Sequence, residues 1–254
     1  MRSPPATTLH AFVDRLLVRS ILGDEEQEAI LALSTHPIQA RAKQDFVHIN
    51  EEASYSCFIA SGLVGRFGQA ATGARQITAL HIPGDMADLH SVVRPVGAGG
   101  MTALSDATIL RIPHKAIRTI AAAYPAIAEA FWRDCMLDAA VLVQWVVNVG
   151  PRDARTRLAH IFCEMAIRSG GDREVLADYA FPITQEQLAD AAALTPVHVN
   201  RSPQALRRQG LVTMRHGRVQ IDDWEGLARV GDFDHSYLVA DTVPERQKRM
   251  LVLP

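Results

Sequence analysis

Arginine and histidine side chains are concentrated in one stretch of this sequence. Between residues 191 and 221 there are five Arg and two His, and there is no Asp or Glu. A guanidinium group pairs with phosphate oxygens and can bind the edge of guanine through two parallel hydrogen bonds. The whole chain of 254 residues has a formal net charge of −2, so the basic character is local. The stretch is a candidate polyanion site, although charge alone leaves open a merely solvated helix face.

The residues around these arginines predict two short helices joined by a tight turn. Thr184 and Gln187 have the spacing of a capping box at the start of the first helix. Thr195 has the chemistry of a helix N-cap, and Pro196 suits the first helical position, where its missing N–H costs nothing. The second helix is expected to end before Gly210. Two such helices, the second of them basic, predict a helix-turn-helix.

Two short alternating runs, 211–214 and 219–221, surround a turn that contains Gly217 and predict a β-hairpin wing. In a helix-turn-helix the N-terminal residues of the second helix reach base edges in the major groove. We therefore expect Val197, His198 and Arg201 to read bases of double-stranded DNA. Other side chains are suited to phosphate contacts: Thr184, Gln185, Thr195, Arg215, His216 and Arg218.

The rest of the chain predicts an α+β fold. Helical spacing covers 9–20, 24–33, 117–149 and 152–169. Short β-rich runs at 45–49, 56–60, 63–67, 76–82 and 108–112 are separated by glycines, which is typical of a β-sandwich or barrel. We place an N-terminal β-roll (jelly-roll-like) with two preceding helices in 1–120, a dimerisation helix in 121–150 and a winged helix-turn-helix in 151–254.

Apolar residues occupy more than one face of the segment from Val141 to Val149, which includes Trp145. A helix that is apolar on several sides needs cover beyond its own domain, and a second subunit would supply it. The alternative is a central core helix of a monomer. Gly150 and Pro151 are expected to end the helix.

The segment from Thr184 to Ala189, followed by Leu194 to Arg201, resembles the signature of the Crp/Fnr transcription regulators. The order of β-roll, long helix and winged helix-turn-helix extends this resemblance over nearly the whole chain. It implies a homodimer that reads a two-fold symmetric operator, and RNA polymerase as a further partner. The base-contacting arginine of the family corresponds to Arg201. A glutamate that reads the site in many members corresponds to Val197, so the preferred half-site should differ.

Three departures from the family pattern affect the expectations. Ala193 stands in the turn where glycine is usual, at a cost of about 1 kcal/mol if that turn needs a positive φ. Pro203 stands inside the recognition helix, where it removes a backbone hydrogen bond and should kink the helix. The phosphate clamp of cyclic-nucleotide members is altered, because Arg94 is followed by proline. The effector is therefore expected to be a different kind of molecule. The candidate residues of its pocket are Gly84, Asp85, Asp88 and Arg94.

No enzyme, cofactor or membrane association is expected. The sequence has no nucleophile elbow, phosphate-binding loop or paired metal-ligand helix. Three dispersed cysteines do not supply the four thiolates of an iron–sulfur cluster, and they fit a reducing cytoplasm. A cyclic nucleotide is not expected as effector. The competing hypotheses are a cyclic-nucleotide-responsive regulator and a sensor that has lost DNA binding through Pro203.

Overall fold

The computed structural model describes residues 9–170 and 177–239. Residues 1–8 and 240–254, which belong to the predicted first and third domains, lie outside this description. Two compact units are present: one contains the residues up to 66 and residues 81–139, and the other contains residues 67–80 and 140–238. Both helices and sheets are present, which confirms the α+β class. No helix of the described ranges is long and apolar enough to cross a membrane.

Two short helices open the first unit, α1 (His10–Leu17) and α2 (Asp24–Leu31). Three acidic residues occupy the first turn of α2, where they favour the positive end of the helix dipole. The buried face of α1 carries Phe12, whose ring stacks on Phe131 and meets Phe58 edge-on. Both helices were predicted, and each is shorter than its apolar pattern.

Seven strands form two sheets that face each other. They are β1 (His36–Ala40), β2 (Asp45–Val47), β3 (Tyr55–Ser61), β4 (Val64–Gln69), β5 (Arg75–His81), β6 (Gly100–Ala103) and β7 (Ala107–Pro113). The first sheet has the order β1-β7-β3 and the second β2-β6-β4-β5. Antiparallel pairing places Phe58 opposite Leu110 and Ile38 opposite Ile109. This is the predicted β-roll.

The strands β1 and β6 were missed in the sequence analysis. Four of the five β1 residues are not fully buried, and the strand contains Pro37, so its apolar alternation is weak. Strand β6 begins at Gly100, directly after a glycine-rich run that reads as a loop. In both cases pairing with a neighbouring strand overrides a poor local signal.

The turn between β3 and β4 requires glycine for two reasons. Gly62 has a φ of 88°, which L-residues rarely adopt. A Cβ at this position would lie 2.4 Å from the Asp106 carbonyl oxygen. The close approach lets Ile59 and Val64 enter the core between the sheets, where both are fully buried.

The expected continuous helix over 117–149 is wrong. Two helices occupy this region, α3 (His114–Ala123) and α4 (Pro125–Val149), separated at Tyr124. Tyr124 has extended backbone angles, as expected for a residue that precedes proline. Pro125 starts α4, where its missing N–H costs nothing. Helix α4 ends before Gly150, as predicted.

The second unit contains α5 (Ala154–Arg168), α6 (Gln185–Ala192), α7 (Pro196–Arg208), α8 (Trp224–Gly231) and α9 (Ser236–Val239). A three-stranded sheet has the order β8-β10-β9, with β8 (Asp178–Ala180), β9 (Val212–Arg215) and β10 (Arg218–Ile221). The predicted inner face of α5, which includes Phe162, is fully buried. β8, α8 and α9 were not predicted from the sequence.

Candidate DNA interface

Helix α6 begins with the predicted capping box. The Thr184 hydroxyl accepts a hydrogen bond from the Gln187 backbone N–H at 3.2 Å, and the Gln187 side chain accepts from the Thr184 N–H at 2.8 Å. Leu188 and Ala189 are buried, which fixes α6 against its own domain. Thr184 and Gln185 remain exposed at the N-terminal end of the helix. The N-terminal end of a helix attracts anions, and the phosphate contacts of Thr184 and Gln185 remain a prediction.

The turn between α6 and α7 adopts the conformation that disfavours alanine. Ala193 has φ 52° and ψ 50°, in the left-handed region. The Arg157 guanidinium donates hydrogen bonds to the carbonyl oxygens of Ala192 and Ala193, at 3.1 and 3.0 Å. Since glycine adopts this conformation without strain, the sequence carries a local cost here that these hydrogen bonds help to offset.

Helix α7 turns one face to the domain and the other to solvent. Val199 and Leu206 are buried, as predicted, at 2% and 0% exposure. The proposed base readers Val197, His198 and Arg201 are all exposed. The helix therefore presents its N-terminal half for insertion into a groove.

Thr195 does not cap α7 through its side chain. It occupies the N-cap position with extended backbone angles, but its hydroxyl has no hydrogen bond to the helix backbone. Its oxygen lies instead 3.1 Å from Nδ1 of His198. Thr195 therefore orients the imidazole of a proposed reader, and the sequence analysis did not foresee this contact.

Pro203 lies inside α7, and the helix is continuous from Pro196 to Arg208. Pro203 is half-buried, and the adjacent Ser202 is buried. Arg207 and Arg208 belong to the same helix as the residues that precede Pro203. The geometry favours a functional recognition helix over one disrupted by proline.

The wing is a two-residue hairpin. Arg215 pairs with Arg218 across the turn, and the two turn residues His216 and Gly217 have φ values of 51° and 71°. Positive φ at both positions is typical of the type I′ turn that closes tight hairpins. Arg215, His216 and Arg218 are exposed at the tip, as predicted. Arg218 donates to the Asp178 carboxylate at 2.9 Å, in an ion pair that is half exposed and therefore weak.

Four arginines of this surface have no carboxylate partner among the described residues: Arg201, Arg207, Arg208 and Arg215. Two exposed amides on α7, Asn200 and Gln204, escaped the sequence analysis. The sequence does contain a signal for them, because a single Asn or Gln side chain can pair with adenine through two hydrogen bonds. The recognition surface thus combines unneutralised cations with polar groups that can bind base edges.

Two of the candidate effector residues are engaged in contacts inside the roll. Asp85 is fully buried and paired with Arg15, and its other oxygen accepts from the Ile82 N–H at 3.1 Å. Asp88 is buried and accepts from the Cys57 N–H at 2.6 Å. Burial raises the pKa of Asp88 to about 6. These carboxylates hold the loop after β5 to the interior of the roll.

The other two candidates behave differently. Gly84 has a φ of 98° and allows the tight turn after β5. Arg94 is exposed and lies on a loop.

Cys57 and Cys163 are buried, and burial raises the pKa of both thiols. No cluster of three or more His, Cys, Asp or Glu side chains in the described ranges could hold a metal ion.

Helix α4 carries an apolar stripe that its own chain leaves exposed. The stripe consists of residues whose separations alternate between four and three: Trp132, Met136, Ala139, Val143 and Val146. Four of them are between 50% and 67% exposed. This spacing is the heptad pattern of helices that pair in a coiled coil.

Trp145, which the sequence analysis placed at a subunit interface, lies in the interior of its own chain. It is 3% exposed, and its indole N–H donates to both carboxylate oxygens of Glu164 on α5, at 3.2 and 3.0 Å. Helix α4 does have apolar residues on more than one face. Trp145 lies on the face that packs inside its own chain, and not on the exposed stripe.

The arrangement of α6, α7 and the wing defines the class of the protein: a winged helix-turn-helix DNA-binding protein. Residues 156–230 match the family model of the Crp-like helix-turn-helix domain. The chain is 23% identical over 171 residues to the transcriptional regulatory protein btr of Bordetella pertussis, covering 65% of this chain and 71% of btr. It is 22% identical over 209 residues to the transcriptional activator protein FnrL of Cereibacter sphaeroides, covering 80% and 84%.

The fold of the chain is also similar to that of a solved structure. The structure of FixK2 from Bradyrhizobium japonicum superposes with a TM-score of 0.71 and 22% sequence identity, over 78% of this chain and 98% of FixK2. The chain therefore contains a Crp-like helix-turn-helix domain at residues 156–230, and its fold is similar to that of FixK2.

Proposed function

We propose that this protein is a transcription regulator of the Crp/Fnr type, a cytoplasmic homodimer that places two copies of α7 in successive major grooves of a two-fold symmetric DNA site. The observation that carries the DNA-reading role is the exposed face of α7 and the wing. Four arginines there lack a carboxylate partner among the described residues, in a stretch without acidic residues. Phosphates would neutralise these charges and release counterions from the DNA.

The dimer part of the proposal is supported by the apolar stripe of α4. Burying five heptad positions against the same stripe of a second copy would remove exposed apolar surface from water. Two parallel copies would then present the recognition helices with the symmetry of an inverted repeat. Within this reading, residues 1–120 sense, 121–150 dimerise and 151–254 bind DNA, and RNA polymerase is the expected further partner.

Fluorescence anisotropy with a labelled duplex at several salt concentrations tests DNA binding. We expect the logarithm of the binding constant to fall linearly with the logarithm of the salt concentration. Arg215→Ala should weaken all sequences alike and lower the slope by about 1. Asp178→Asn is a matched control, because it frees Arg218 without removing a cation. A salt-independent binding constant would contradict the proposal.

We further propose that the effector is not a cyclic nucleotide and that no cofactor is bound. Asp85 and Asp88 are engaged inside the roll, and the exposed Arg94 is followed by proline, so no described arginine of this loop is in place to clamp a phosphate. Calorimetric titration with cAMP and cGMP tests this. Saturation weaker than about millimolar is expected, since the charge-assisted bonds to phosphate are missing; micromolar binding would support the cyclic-nucleotide alternative.

A further inference from the structure

A cavity of about 460 Å³ opens at one edge of the β-roll. Its walls come from β1, β2, the segment that leads into β3, and β7. Its volume lies in the range of small-molecule sites. Gly84, Asp85, Asp88 and Arg94 do not line it.

Arg111 is the cation of this cavity. Its guanidinium carbon lies over the Tyr55 ring, 4.1 Å from the ring centre, in a cation–π contact. Its described hydrogen bond is a long one, from Nη2 to the Phe46 carbonyl oxygen at 3.5 Å. Nε is buried and has no hydrogen-bond partner among the described residues. The two terminal nitrogens of a guanidinium group can pair with a carboxylate through two parallel bonds, and Arg111 has no carboxylate partner among the described residues.

The other charges of the cavity are negative. Asp45, Glu51 and Glu52 line it together with Arg111, which gives a formal charge of −2 when the neighbouring His48 is neutral. Glu51 and Glu52 are exposed at its mouth. A simple anion would meet Arg111 but would be repelled by the exposed carboxylates of Glu51 and Glu52. A ligand that brings one carboxylate and two ammonium groups matches both parts of the site.

We propose that this cavity binds a basic α-amino acid. Its carboxylate pairs with Arg111, and its ammonium groups lie towards Glu51 and Glu52. The aliphatic part of the ligand lies along the apolar walls, which include Ile38 and Val47. This site is separate from the DNA interface, so it does not depend on how the protein reads DNA.

Isothermal titration calorimetry of the full chain with L-lysine is the test. Cadaverine lacks only the carboxylate, and L-glutamate keeps the α-amino acid group but reverses the side-chain charge. Saturable binding of lysine is expected, with both comparison compounds at least about tenfold weaker, because each loses one of the two charge matches. No heat at millimolar lysine, or equal binding of either comparison compound, would overturn the proposal.

Two variants assign the site. Arg111→Met keeps the aliphatic stem and should remove the preference for lysine over cadaverine. Arg229→Met, which changes an exposed arginine on α8 outside the cavity, should leave lysine binding unchanged. Should Arg111→Met fail to fold by circular dichroism, the double variant Glu51→Gln, Glu52→Gln, at two exposed positions, replaces it. That double variant should weaken lysine at least about tenfold; lysine binding unaltered in the folded variant would place the ligand elsewhere.

Discussion

Ala193 carries a backbone conformation that its side chain disfavours, with φ at 52°. The left-handed region costs an L-residue roughly 1–2 kcal/mol, and glycine avoids this cost. Glycine also loses more backbone entropy on folding, which reduces the gain by roughly 0.5–1 kcal/mol. Ala193→Gly should therefore raise the free energy of unfolding by up to about 1 kcal/mol. Urea unfolding checks this against Ala192→Gly, a change inside α6 that should destabilise. A less stable Ala193→Gly variant would show that the turn is not strained.

Asp88 makes the free energy of unfolding larger at lower pH, which is the opposite of the usual effect of a carboxyl group. Burial raises its pKa to about 6, above the ordinary value near 4, so the folded state binds the proton more tightly than the unfolded state. Above pH 7 the charged Asp88 destabilises the folded state by its full amount. This destabilisation is lost as the pH falls from 7 towards 4, because the buried carboxyl group then binds a proton.

Asp88→Asn isolates that contribution, since the amide oxygen can still accept from the Cys57 N–H. We expect the stability of the wild type relative to this variant to improve on lowering the pH from 7 to 5. Urea unfolding at several pH values measures the difference. A difference that is constant over this range would mean that Asp88 titrates as an exposed carboxyl group does.

At the scale of the element, α7 contains its own weak point. Pro203 removes the hydrogen bond that would reach the Val199 carbonyl, and a proline inside a helix costs roughly 3 kcal/mol. Pro203→Leu and Pro203→Ala should each raise the free energy of unfolding by up to about 3 kcal/mol. The alanine variant separates the backbone gain from the added apolar surface.

DNA binding of the leucine variant should tighten modestly without a change of preferred sequence, because Val197, His198 and Arg201 all precede position 203. Thermal unfolding and anisotropy measure the two effects. Variants no more stable than the parent would show that the fold has already accommodated the proline.

Helix α4 should separate dimerisation from folding. Val143→Asp places a charge in the exposed apolar stripe and should give a folded monomer in sedimentation, since an unpaired buried charge is not tolerated in a coiled-coil seam. Trp145→Phe should instead lower the stability while the dimer persists, because it removes the hydrogen bond to Glu164 within one chain. A dimeric Val143→Asp variant would place the subunit contact elsewhere.

How far the sequence predicts each element follows from where its signal lies. The helix-turn-helix and its wing were predicted closely because caps, a terminal glycine and a glycine turn are local signals. β1 and β6 were missed because strand pairing, not local pattern, forms them. The inner placement of Trp145 depends on Glu164, which is distant in sequence, and no periodicity reveals it. The contact between Thr195 and His198 is local, but the N-cap pattern favoured a different hydrogen bond.

For the molecule as a whole, the proposed dimer combines the α4 stripe with the α7 face. A single α7 offers three proposed readers, Val197, His198 and Arg201, which span little more than one helical turn. Two copies held by α4 would double the contacts and impose the two-fold symmetry of the dimer on the DNA site. The central claim is therefore that the protein selects an inverted repeat.

Selection of bound duplexes from random DNA, with the wild type and with Arg201→Ala in parallel, tests that claim most directly. The wild type should enrich two half-sites in inverted orientation, with centres about one helical turn apart or a multiple of it. Arg201→Ala should lose preference at one base pair of each half-site, at a cost of about 1–3 kcal/mol, while its non-specific binding is nearly unchanged. Enrichment of a single unrepeated site, or of no sequence at all, would contradict the account.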